Sequence, residues 1–73
     1  MVNSFTDVID ALGGTAKFAR AVGMKPNTAK MAKARDSISP GWWPAVVEAA
    51  KEAGRDDITS DRLIALAAQR RAS

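Results

Sequence analysis

Glycine and proline punctuate this chain at short intervals, and that spacing limits its fold more than any other feature. Gly13-Gly14, Gly23, Pro26, Pro40, Pro44 and Gly54 divide an alanine-rich sequence into stretches too short for long helices. Alanine favours helix and close helix packing. The stretches place apolar residues at i, i+3 and i+4, and none shows the period-two alternation of a strand. The expected fold is all-α, a compact five-helix bundle.

The first helix is expected over Ser4 to Leu12, with Phe5, Val8, Ile9 and Leu12 as its apolar stripe. Asn3 or Ser4 can cap it, and Gly13-Gly14 ends it. A second helix follows Thr15, read as its N-cap, with Phe18, Ala19 and Val22 inward and Lys17 and Arg20 outward; Gly23 stops it. The third starts near Pro26, since proline suits a first helical turn, and frays around Arg35-Asp36-Ser37. The fourth has a crowded entrance, "SISPGWWP". Ser39 can cap it, and Pro44 requires either an irregular first turn or a start nearer Trp43. Val46, Val47, Ala50 and Ala53 form its expected inner face, and Gly54 follows it. The fifth is capped by Thr59, stapled by Ile58 and Leu63, and packed through Leu63, Ile64, Leu66 and Ala67, with Asp61 and then Arg70 and Arg71 suiting its dipole.

At 73 residues the chain reads as a single domain over 1–73, without a separate sensor domain, so control would come from protein concentration. It contains no cysteine and no histidine, which removes disulfides, thiolate metal ligands and the commonest general base. Its carboxylates are scattered over expected exposed faces, so the chain reads as a non-enzyme with no metal, no cofactor and no evident small-molecule ligand. No apolar run approaches the ~18 residues of a membrane span, and no signal-peptide pattern opens the sequence. The expected location is the cytoplasm, at the nucleoid.

Net charge is only +3, but residues 11 to 35 carry bases and no acid. The segment "TAKFARAVGMKPNTAKMAKAR" holds Lys17, Arg20, Lys25, Lys30, Lys33 and Arg35. A one-signed segment in a mixed chain suggests a polyanionic partner, against the alternative of a merely solvated face. Its shape suggests the same. Gly23 supplies positive φ for a sharp turn, Ala19 lets a following helix cross closely, and Val22 and Met24 can plug the core. These are the parts of a helix-turn-helix at about 15–35.

On these residues the chain resembles the phage-repressor class of DNA-binding domains, the Cro and lambda-repressor type, and within it small Cro-like regulators of proteobacteria and their mobile elements. That group reads "LGG-(T)-x-x-x-A-R-A-L-G-V-K-P-x-T-V-x-x-W-K-x-R-x-x-I-P-x-x-x-W-P"; this chain reads "LGGTAKFARAVGMKPNTAKMAKARDSISPGWWP" from Leu12 to Pro44. The resemblance implies a sequence-specific regulator of double-stranded DNA, with a recognition helix at about 26–34 in the major groove and a homodimer on a palindromic operator. This chain has Ala29 and Ala32 where the group has valine and tryptophan, and Gly41 where a polar residue precedes the aromatic pair. The two alanines remove core volume worth about 2–5 kcal/mol in an unadjusted site. Met31, a tryptophan or a helix rotated inward would have to compensate.

By the resemblance, Asn27, Thr28, Lys30 and Met31 face bases. An asparagine amide pairs with adenine, a lysine reaches guanine or a phosphate, and threonine touches a thymine methyl or a phosphate. Capping is the alternative for Asn27, a solvated side chain for Lys30, and core filling, the preferred reading, for Met31. Thr15, Lys17, Lys25, Lys33 and Arg35 are the expected phosphate contacts. Arg20 is open between DNA and a structural ion pair. One of Trp42 and Trp43 is expected in the core and the other at a lid or dimer face. A protein-interaction module on the same fold, or a non-specific nucleoid protein, are the alternative functions.

Overall fold

The computed structural model describes the backbone of residues 2–72 and the side chains of residues 2–69. Five α-helices follow in order: α1 (Phe5–Ala11), α2 (Thr15–Val22), α3 (Pro26–Arg35), α4 (Trp43–Glu52) and α5 (Ser60–Ala72). A 3-10 turn, Pro40–Trp42, leads into α4, and the described residues contain no strand. The Cα radius of gyration is 10.9 Å, close to the ~11 Å of a compact chain of this length. None of the helices is long and apolar enough to cross a membrane, among the described residues. The expected dipole role of the Arg70 and Arg71 side chains lies outside the described residues.

The start of α1 is closed reciprocally. Ser4 Oγ accepts from the Asp7 N–H at 3.1 Å, and Asp7 Oδ2 accepts from the Asn3 N–H at 3.0 Å. One helical N–H that lacks a partner one turn back, that of Asp7, is thereby satisfied, together with the N–H of Asn3 just before the cap. The chain then turns through Gly13 and Gly14, at φ 101° and 92°. This shifts the second helix by one position from the sequence expectation. Gly14, not Thr15, is the N-cap, and Thr15 is the first helical residue. The cap lies at φ 92°, a conformation costly for threonine but open to glycine.

The entrance to α4 resolves in the same local terms. The 3-10 turn provides the irregular start, and α4 begins at Trp43, so Pro44 falls at the second helical position where no N–H partner exists. Ser39 precedes the turn but makes no side-chain cap. The buried face of α4 is Val46, Ala49 and Ala50, with Val47 half-buried. Ala53, expected inward, is exposed because it is the C-cap where the chain leaves the bundle. In α5, Thr59 Oγ1 accepts from the Arg62 N–H at 3.1 Å, and Leu63 and Leu66 are buried with Ile58. Ile64, also expected inward, is 55% exposed: it sits one residue, about 100°, from Leu63, beyond the arc that the bundle covers.

Phe18, Ile9, Ile58, Leu63, Val8 and Val46 are the largest fully buried side chains, so α1, α2, α4 and α5 all feed one core. No charged or polar residue is buried among those described. The periphery is tied by polar links. The Arg62 guanidinium donates to the Val2 carbonyl, through Nε at 2.9 Å and through Nη2, holding the N-terminal residues against α5. Arg55 and Asp57 pair twice, at 3.2 and 3.1 Å, in the connection before α5. The guanidinium holds the Asp57 carboxyl below its ordinary pKa.

Candidate nucleic-acid interface

The basic segment folds as two short helices joined by three residues, Gly23 to Lys25. Gly23 adopts a left-handed φ of 77°, and the Met24 N–H donates to the Ala19 carbonyl at 2.8 Å, closing the turn. Ala19 is buried, and Val22 and Met24 are buried on either side of the glycine. The aliphatic stem of Lys17 passes over Gly13, where a Cβ would lie 2.6 Å from Lys17 Cδ.

All six basic side chains of the segment are exposed: Lys17, Arg20, Lys25, Lys30, Lys33 and Arg35. Neither α2 nor α3 carries an acidic residue. Arg20 makes no ion pair within the described residues; it flanks a shallow surface between α2 and α4 that also includes Glu52. Thr15 is half-buried at the start of α2, beside Lys17.

Ala29 faces the core from α3 and is fully buried. At 100° per residue, Lys30, Asn27, Met31 and Thr28 then fall in that order across an arc of roughly 160° on the opposite side. The four expected base readers therefore share one outer face, and each is exposed. Lys25 is the N-cap of α3, Pro26 is its first residue, and no side chain caps it. The capping role considered for Asn27 is thus not used. Met31 is 50% exposed, so it does not fill the volume that Ala29 and Ala32 leave. Helix azimuth again explains this: Met31 lies about 160° from Ala29.

Two acidic residues fix the far side of α3. Lys33 Nζ lies 2.9 Å from Asp10 Oδ1 of α1, with both side chains substantially exposed. An exposed pair of this kind contributes ~0–1 kcal/mol, so it orients Lys33 weakly. Asp36 does more. Its Oδ1 accepts from the Thr6 N–H at 2.8 Å and from Thr6 Oγ1 at 3.0 Å, clipping the end of α3 to the first turn of α1. It is also the one described non-glycine residue with positive φ, at 52°. Sequence reasoning treated this position as a fraying end. The available signal was an aspartate at a helix C-cap, where its negative charge is unfavourable unless it serves another helix's N-terminus.

Both tryptophans are half-buried against the core, so neither is the fully buried one that was expected, but their surroundings differ. Trp43 Nε1 donates to the Ile38 carbonyl at 3.0 Å, and its ring stacks on Phe5 with centroids 6.5 Å apart. Trp42 instead lines an open groove with Ala32, Met31, Ile38 and Arg35. The missing volume at Ala32 is therefore partly bordered by Trp42 and partly left as space. Among the described residues no cluster of His, Cys, Asp or Glu could hold a metal ion. Comparison with protein-family models, with curated proteins and with solved structures returns no match for this chain.

Proposed function

We propose that the chain is a sequence-specific double-stranded DNA binder of the Cro and lambda-repressor type, acting as a transcriptional regulator by occupying an operator. The observation that carries this reading is the pairing of six exposed cations with an uncapped, exposed polar face on α3, joined by the Gly23 turn and free of acidic side chains on both helices. In this reading α3 enters the major groove. Asn27, Thr28, Lys30 and Met31 face bases, while Lys17, Lys25, Lys33 and Arg35 and the Thr15 end of α2 meet phosphates. Two copies bind a palindrome with half-sites about 34 Å apart, and Trp42 is the aromatic available to such an interface. A salt titration of duplex binding tests the proposal. Log affinity should fall with log salt with a slope of about −3 to −5 per subunit, as expected for four or five neutralised phosphates. A flat slope together with no preference over random DNA contradicts it.

A second reading is a protein-interaction module on the same fold. It is favoured by one observation, the half-exposed Met31 beside Trp42, since methionine and tryptophan are enriched at interfaces. A steep salt slope without sequence preference would instead indicate a non-specific nucleoid protein.

A further inference from the structure

The groove between α3 and the 3-10 turn has the size and chemistry of a ligand site, although the sequence offered no small molecule. It is an open groove of about 170 Å³, similar in volume to a closed cavity of ~150 Å³ that takes benzene. Its apolar surface comes from the indole of Trp42, the thioethers of Met24 and Met31, and Ile38. Its depth follows from Ala32, whose side chain is too small to fill it. The polar lining is one-signed: Arg35 is its one charged residue, Thr28, Ser37 and Ser39 are its hydroxyl residues, and no carboxylate lines it. Arg35 forms no ion pair among the described residues. The nearest acid in sequence, Asp36, is turned away to Thr6.

We infer that this groove binds a single-ring aromatic carboxylate, of the benzoate or phenylacetate class. The ring lies against Trp42 and Met31, where flat apolar surfaces meet, and the carboxylate meets Arg35, whose planar fork matches two oxygens. A neutral ring would forgo the guanidinium, and a simple aliphatic acid would leave the apolar walls wet. The site stands on the groove alone. A consequence that rests on the DNA-binding reading is competition, because Thr28, Met31 and Arg35 belong to both surfaces, and each ligand would weaken the other by the same factor.

Amide and indole N–H NMR of the free protein, titrated with benzoate, tests the site without DNA. Saturable shifts should centre on the Trp42 indole and on residues 31 to 39. Benzyl alcohol should bind at least ~10-fold more weakly, the loss expected for a charge-assisted contact, and acetate should not saturate. Arg35→Gln should cost benzoate a similar factor, and Ala32→Leu, which fills the groove, should abolish binding while the remaining spectrum stays folded. Scattered, non-saturating shifts, equal binding of benzyl alcohol, or benzoate binding unchanged by Ala32→Leu would overturn the proposal. Loss of DNA binding in a separate assay would leave this titration unaffected.

Discussion

Replacing Lys25 and Lys30 together by glutamate is expected to lower duplex DNA affinity ~100-fold or more at physiological salt. Each lysine lost removes a phosphate or base contact, and each glutamate adds repulsion from the polyanion; reversal at two positions is therefore worth about 3–5 kcal/mol. Both residues are exposed and make no ion pair in the described structure, so the helical fold should persist by circular dichroism. Lys33 is a poorer choice, because its reversal sets a second carboxylate against Asp10, at the present 2.9 Å contact, and confuses stability with binding. Filter binding or fluorescence anisotropy at fixed salt reads the effect. An affinity change below about threefold, in a variant that stays folded, would favour the protein-interaction reading, and loss of a protein partner in that variant would support it directly.

A large stability effect is expected at Asp36. Asp36→Ala removes the acceptor of the Thr6 N–H and the nearer acceptor of Thr6 Oγ1, which keeps the Lys33 carbonyl at 3.3 Å, and leaves an alanine at φ 52°. A part-buried donor without its charged acceptor costs ~1–3 kcal/mol, and the left-handed backbone adds ~1. The sum, about 2–4 kcal/mol, is a large part of the roughly 4–11 kcal/mol available to a domain of this length. The melting temperature should fall by ~10–25 °C. Asp36→Asn retains both a side-chain oxygen acceptor and tolerance of positive φ, and should lose under half as much. A fall below about 3 °C in the alanine variant would mean that the clip between α1 and α3 contributes little.

These two residues also mark what could be read from the sequence. The helices and their breaks were legible because glycine and proline act locally: the Gly23 turn, the start at Pro26 and the Thr59 cap each depend on a few neighbouring residues. The inward face of α2 was legible because Phe18, Ala19 and Val22 form an unambiguous stripe. Ile64, Ala53 and Met31 were misassigned inward because periodicity gives a helix's azimuth only relative to itself. Which arc is covered depends on elements far away in sequence. Thr15 was misplaced by one residue because the positive φ before α2 demanded Gly14 as the cap. The Asp36 clip spans 30 positions; its one local signal, an aspartate at a helix C-cap, does not say which helix it serves. Of the candidate site, the exposed basic residues and the outer face of α3 were legible. The groove at Trp42 was not, because it exists only where Ala32 of α3 meets the turn before α4.

Selection of bound sequences from a random duplex pool tests the central claim most directly. The account predicts enrichment of one palindromic sequence whose half-sites are centred about one helical turn apart, ~34 Å, with Asn27→Ala relaxing preference at a single symmetric pair of positions. A recovered pool no different from the input, or enrichment that Asn27→Ala and Lys30→Glu leave unchanged, would contradict it.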